Sequence, residues 1–177
     1  MRRSGDEPLF NSLMEQYHSL RYEQPVGEQL KYLIQARGQA IACLAWSSAP
    51  RHLGSRDRFI GWDQAARRRN IHWIAYHTRF LILPWVRVPQ LASHILGQRA
   101  RRLAQDWQPV YAHPIHLLET FVEEERFAGP GYRAANWMVV GQTTGGGKDA
   151  TSHRPNRSIQ PVLALAWHRR FRQWLSQ

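Results

Sequence analysis

The sequence predicts an α/β fold, a single domain with a mixed central sheet flanked by helices, on three observations. Short apolar, β-favouring runs recur along the chain; one of them, Ile71 to Leu83, is much longer than the others; and a stretch with helical periodicity, Gln90 to Gln108, follows it directly. At 177 residues, 43% hydrophobic and 21% charged, the chain has the size and composition of one folded unit. No internal repeat is visible, which excludes a solenoid or propeller.

Residues 1–10 read as a flexible N-terminus, with the domain running over 11–177 and a mobile loop at about 143–160, where Gly, Thr, Ser, Arg and Asn dominate. Asn11 to Arg21 predicts a short helix before the turn Gln24-Pro25-Val26-Gly27. Leu30 to Ile34 and Ala40 to Trp46 are apolar runs joined by a short connection containing Gly38, the pattern of a hairpin. A helical interval carrying Arg67-Arg68-Arg69 leads into Ile71 to Leu83, the expected central strand. Pro84 and Pro89 end that strand. Over Gln90 to Gln108, Leu91, His94 or Ile95, Gln98 or Ala100, Leu103 and Trp107 recur at helical spacing, with Arg99, Arg101 and Arg102 expected to be exposed. Ile115 to Val122 reads as a buried strand, Gly129 to Asn136 as a short helix, and Met138 to Gln142 and Val162 to Trp167 as the last two strands.

Charge narrows the function. Lys plus Arg number 24 against 13 Asp plus Glu, a formal charge of +11, and all the cations except Lys31 and Lys148 are arginine. Arginine's planar fork suits bidentate contact with phosphate, so DNA is the expected partner. The clusters that would supply it are Arg67, Arg68 and Arg69; Arg99, Arg101 and Arg102; Lys148, Arg154 and Arg157; and Arg169, Arg170 and Arg172, with Trp62, Trp107 and Trp174 near enough in sequence to stack on bases. The lone Cys43 excludes an intramolecular disulfide framework, and Met1-Arg2-Arg3 is followed by acidic and polar residues instead of an apolar signal core; a cytoplasmic location is expected. The longest apolar run, Phe80 to Val86, is far short of the roughly 20 residues that cross a bilayer, so no membrane role is expected.

Candidate chemistry rests on a few side chains. Glu119 lies inside Leu117-Leu118-Glu119-Thr120-Phe121-Val122, where a buried carboxylate must be paired or shifted in pKa; it is a candidate general base or metal ligand, or else the ion-pair partner of Arg79 or Arg133. Arg79 raises the same question with opposite sign. Tyr17 and His18 stand before a Pro-Gly turn, where a phenol and an imidazole serve as donor and proton shuttle. Tyr132 and Asn136 are four apart, the spacing of one helical face, and suit general acid and amide orienter. Ser93 and His94 open the long helix, where unpaired N–H groups bind anions. The nine histidines show no metal-ligand spacing, and His113 and His116 flank Pro114, so no metal site is expected. Gly145-Gly146-Gly147-Lys148 is not a phosphate loop, because Gln142 stands where a glycine is needed and Asp149 where Ser or Thr holds magnesium.

Two resemblances follow from these residues. The order of a long strand, a long helix and another strand resembles the core of the GNAT acyltransferase-like fold, in which the turn before the helix cradles a cofactor pyrophosphate; here that turn, Val86 to Ser93, has no glycine. Tyr17-His18-Ser19-Leu20, Leu44 to Ala49, Arg56 to Trp62, Thr78 to Val86, Leu91 to Leu96, Leu117 to Val122, and Tyr132 to Trp137 through Gly141-Gln142-Thr143 together resemble the Druantia anti-phage system protein A family, which overlaps a transposase-associated domain of unknown function. That resemblance implies antiviral defence or mobile elements, with defence-system or transposase proteins as partners. It implies a DNA-acting protein that modifies or processes DNA through a GNAT-like pocket containing Tyr17, His18, Arg79, Glu119, Tyr132 and Asn136. The alternatives are a non-catalytic DNA-binding accessory subunit and a CoA-dependent acyltransferase. No cofactor is named by the sequence.

Overall fold

Arg37 and Gly38 both take positive φ, 50° and 77°, and so form the two-residue turn that joins β1 (Gln29–Ala36) to β2 (Gln39–Ser48) as an antiparallel hairpin. The computed structural model describes residues 4–19, 23–122, 130–145 and 158–177. Helix α1 (Glu7–Tyr17) precedes the hairpin; α2 (Gly54–Ile60) and α3 (Gln64–Asn70) follow it, and a 3₁₀ turn (Ile71–Trp73) leads into β3 (Ile74–Ile82). Then come α4 (Leu91–Tyr111), β4 (Leu117–Phe121), α5 (Pro130–Ala134), β5 (Met138–Gln142), β6 (Pro161–Ala166) and α6 (Phe171–Leu175).

The strands form one six-stranded sheet in the order β1-β2-β3-β4-β6-β5. Every neighbouring pair is antiparallel except β3 and β4, which run parallel and pair only from Ile74–Leu117 to Tyr76–Glu119. Beyond Tyr76 the two strands share no ladder pair, and a wedge opens between them. A register shift between Ala45 and Trp46 of β2, opposite Arg79 and His77, leaves Thr78 as the extra residue of a bulge next to that wedge.

Helices cover both faces. On one, α4 lays Ile95, Leu96, Ala100, Leu103 and Trp107 against Ala42, Leu44, Trp46, Ala75 and Leu118. On the other, α1 seats Phe10, Leu13 and Met14 over Cys43 and Ala45, whose small side chains allow the helix close approach. Farther along that face, α2, α3 and α6 close over Ile74, Leu117 and Ala164 through Ile60, Ala66, Phe171 and Leu175. Burial of this order, at about 25 cal/mol per Å² of apolar area, is the main favourable term of the fold. Lys31 is 1% exposed; its Nζ donates to Glu7 Oε1 at 2.6 Å, Asn11 Oδ1 at 3.1 Å and Gln24 Oε1 at 3.2 Å, tying α1 to β1.

Several boundaries differ from the sequence reading. The first helix begins at Glu7, not at Asn11, because Phe10 is a core residue with no exposed surface. Ile71 to Trp73 belongs to the 3₁₀ turn, so the long strand starts at Ile74. The long helix runs on to Tyr111 with Pro109 in its last turn, and α2 and α6 were not anticipated. The predicted mobile loop lies largely outside the described residues; its described ends are pinned by Thr143 N–H donating to Gln160 O at 2.9 Å. No helix among the described residues is long and apolar enough to cross a membrane.

Candidate functional site

The wedge between β3 and β4 is where the fold gathers polar groups inside its core. Tyr132 of α5 reaches in, its hydroxyl 2.8 Å from His77 Nδ1. Thr120 Oγ1 donates to the His77 carbonyl at 3.0 Å, a side-chain bond standing in for the ladder bonds that end where the strands part. His77 is 2% exposed and stacks on Trp46 with centroids 4.2 Å apart, and Trp137 packs edge-on against Tyr132. Burial lowers the His77 pKa to about 3, against a small opposing effect of the Arg79 backbone, so the imidazole is neutral. Burial also raises Tyr132, which keeps its proton. His77 Nε2, Trp46 Nε1 and Trp137 Nε1 have no described hydrogen-bond partner. A neutral imidazole bonded to a protonated phenol can position or relay a proton and carries no positive charge of its own at neutral pH. Sequence reasoning missed His77; its one signal was a histidine in the middle of an apolar strand, the same signal that singled out Glu119.

Glu119 lies on the opposite face of the sheet, and its partner is Arg56, not Arg79 or Arg133. Arg56 Nη1 donates to Glu119 Oε1 at 3.2 Å, and both side chains are fully buried. The rest of the guanidinium is used: Nη1 donates to Pro50 O at 2.8 Å, and Nε and Nη2 donate to Asp57 Oδ1 at 3.0 and 2.9 Å. Asp57 in turn accepts from Trp62 Nε1 and Arg67 Nη1. Burial raises the Glu119 pKa to about 7, outweighing the pull of Arg56, whose charge is shared with Asp57. A carboxylate closed off from solvent and satisfied in this way joins α2 to β4.

The other residues singled out by the sequence do not converge on one pocket. Tyr17, 38% exposed, packs edge-on against Trp85, which is 55% exposed, at 5.3 Å. His18 lies within reach of Arg79 and the Phe80 backbone; burial first, then the Arg79 charge, lowers its pKa. Arg79 Nη1 donates to Thr78 O at 2.8 Å. Asn136 is exposed, lies past the end of α5 with a left-handed φ of 65°, and so shares no helical face with Tyr132. Ser93 and His94 do sit together, in an open groove of about 410 Å³ formed with Val88, Pro89, Gln90, Leu91 and Ala134. Gln90 caps α4 in a left-handed conformation, φ 57°, and its carbonyl accepts from Ser93 Oγ at 2.9 Å. No cluster of three metal-ligating side chains occurs among the described residues.

The arginines divide as well. Arg67 is held by Asp57 at 2.9 Å. Arg102 pairs with Asp106 at 3.3 Å, Arg99 lies over the Tyr32 ring, and Arg101 is exposed beside them on α4. Arg68 and Arg69 of α3, Arg169 and Arg170 just before α6, and Arg172 within it are exposed on two elements that pack together, joined by Asn70 Nδ2 donating to Leu175 O at 3.0 Å; Arg69 also donates from Nη2 to Gln177 O at 2.7 Å, and Arg172 from Nε to Phe59 O at 2.8 Å. Lys148, Arg154 and Arg157 lie outside the described residues. Trp62 and Trp107, expected as stacking surfaces, are core residues at 9% and 0% exposure.

A six-stranded mixed sheet that splays between two parallel strands, with a long helix leaving the first of them, defines the acetyltransferase type of fold. A spermidine N-acetyltransferase chimera of Vibrio cholerae SpeG and hSSAT superimposes with a TM-score of 0.53 at 12% identity over 98% of this chain and 94% of that one. Aminoglycoside acetyltransferase AAC(6′)-Ib with coenzyme A and kanamycin gives 0.50 at 13% identity over 82% and 69%, and the same enzyme with paromomycin and acetyl-CoA gives 0.51 at 12% over 82% and 67%. These likenesses show the fold. The family of the Druantia protein DruA matches residues 1–158, and the chain belongs to that family. No curated protein sequence matches it.

The fold family implies coenzyme A, and the groove at α4 is where its pyrophosphate would rest. The residues present do not match that group. The turn has no glycine, and α5 crowds the first turn of α4: a Cβ on Gly131 would stand 3.2 Å from Ala92 Cβ and 3.8 Å from the Ser93 nitrogen.

Proposed function

We propose that the chain is a DNA-acting member of the Druantia anti-phage family that holds DNA through the arginines of α3 and α6. The observation that carries this reading is the exposed set Arg68, Arg169 and Arg170, flanked by Arg69 and Arg172, each of which bonds one backbone carbonyl, on α3 and at the start of α6, in a chain of net charge +11. Phosphate contacts of this kind are independent of sequence and act by counterion release. The separation of Tyr17, Glu119, Tyr132 and Asn136 favours an accessory, DNA-holding role over chemistry on the DNA. Anisotropy of labelled DNA across a salt series tests this, read beside the intact mass of the DNA. Binding with unchanged mass supports the reading. Replacing Arg169 and Arg170 by Gln is expected to flatten the salt slope by about 0.9 for each phosphate no longer neutralised.

The competing reading, a CoA-dependent acyltransferase, draws on the fold and on the Tyr132 hydroxyl at the wedge. It requires α5 to move off Ala92 and Ser93. Saturable binding of acetyl-CoA by calorimetry would favour it; heat of dilution alone would remove it.

A further inference from the structure

At the end of the sheet remote from the wedge, where β3 and β4 begin and β6 ends, aromatic rings form a continuous strip. His168 stacks on Trp174 with centroids 4.5 Å apart and planes 21° from parallel; Trp174 meets His116 at 4.7 Å, His116 meets Trp73 at 5.4 Å, and Trp73 meets His72 at 5.4 Å. His72 and His168, toward the two ends, are exposed. Arg69, Arg169 and Arg170, also exposed, adjoin the strip through α3 and α6. The length of α4, 21 residues or about 30 Å, separates this end from the groove at Ser93.

Aromatic faces beside guanidinium groups match a polyanion that carries flat rings of its own. The rings of a duplex are stacked on one another, so only unpaired bases are open to such a platform. The platform is set in place beforehand: His168 Nδ1 accepts the Arg170 backbone N–H at 3.1 Å, which fixes the ring. Burial and the neighbouring His168 hold His116 below the ordinary imidazole range, so the middle of the strip stacks as neutral rings. We infer that the His168–Trp174 and His72–Trp73 strip binds unpaired bases of single-stranded DNA while the adjoining arginines hold its backbone. This inference rests on the DNA-binding reading above and adds the form of DNA and the place where its bases dock.

The test is anisotropy of a labelled oligothymidylate and of a duplex of equal length, at matched salt, with the full chain. The expected result is tighter binding of the single strand, with His168→Ala and Trp174→Ala each weakening it about five-fold or more and leaving duplex binding unchanged. His168 is exposed, so its variant tests the inference even where Trp174→Ala melts early; a thermal melt of each variant separates the two causes. Equal affinity for both forms with His168→Ala silent overturns the inference alone. So does binding of a single-stranded RNA in place of the oligothymidylate while the duplex is still bound. Failure of the wild-type chain to bind either DNA overturns the DNA-binding reading itself, and the inference with it.

Discussion

Arg56 and Glu119, 63 positions apart, meet at 3.2 Å beneath α2, with neither side chain reaching solvent. The pair sets the position of α2 on the sheet, and α2 in turn brings Ser55 against Gly141 of β5. The strands beside the wedge are thereby braced from the face opposite α4.

Arg56→Met is expected to destabilise the fold by about 3–5 kcal/mol, because it strands a buried carboxylate without its cation. Urea denaturation measures the change. Adding Glu119→Gln to that variant should restore part of the loss, since the second change removes the uncompensated charge. A double variant no more stable than Arg56→Met would show that the arginine acts mainly through Pro50 and Asp57.

The same pair predicts a pH signature. Burial holds Glu119 at about 7, above the ordinary 4.5, so between these values the folded chain keeps a proton that the unfolded chain has released, and stability falls as pH rises. His77, lowered from 6.5 to about 3, acts in the opposite sense: its contribution is present above pH 6.5 and is lost as pH falls. From about 4.5 to 6.5 the two slopes oppose each other. Glu119→Gln removes one of them, so its stability relative to wild type should climb by about 1.4 kcal/mol per pH unit across that window. Urea midpoints at several pH values read the difference, and parallel curves would refute the assignment of the proton to Glu119.

Gly141 has φ +147°, and a Cβ there would stand 2.6 Å from Ser55 Cβ. Gly141→Ala therefore meets both backbone strain and a clash with a helix that Arg56 holds in place. The expected cost is about 1–3 kcal/mol, read as a fall of several degrees in Tm. An unchanged Tm would mean that α2 yields easily despite its buried ion pair.

The strands and α4 were legible because burial leaves a periodicity of two or of 3.6 in the sequence. Glu119 stood out for a related reason, as a charge inside an apolar run. Its partner did not, because Arg56 lies in Arg56-Asp57-Arg58, a polar cluster that reads as a loop; the burial of Arg56 is created by packing and leaves no local pattern. Asn136 was placed on a helical face by counting residues, but the chain turns left-handed there and ends the face. Trp62 and Trp107 show the same limit from the other side: composition places a tryptophan near an arginine, while the fold decides whether its ring is covered. The contact between Tyr132 and His77 spans 55 positions and belongs to the tertiary structure alone.

That contact gives the most direct test of the wedge. Tyr132→Phe keeps the ring against Trp137 but removes the hydroxyl, leaving His77 Nδ1 buried beside an Nε2 that already has no described partner. A cost of about 1–3 kcal/mol is expected from the unmet ring nitrogen. His77→Phe on its own should also destabilise, by removing the partner of a buried hydroxyl, yet the double replacement should cost less than the sum, because no orphaned group of the pair remains. A double-mutant cycle by urea denaturation gives the coupling. Strict additivity would show that the 2.8 Å contact does not hold α5 in the wedge, and would leave α5 able to move off the first turn of α4, as the acyltransferase reading requires.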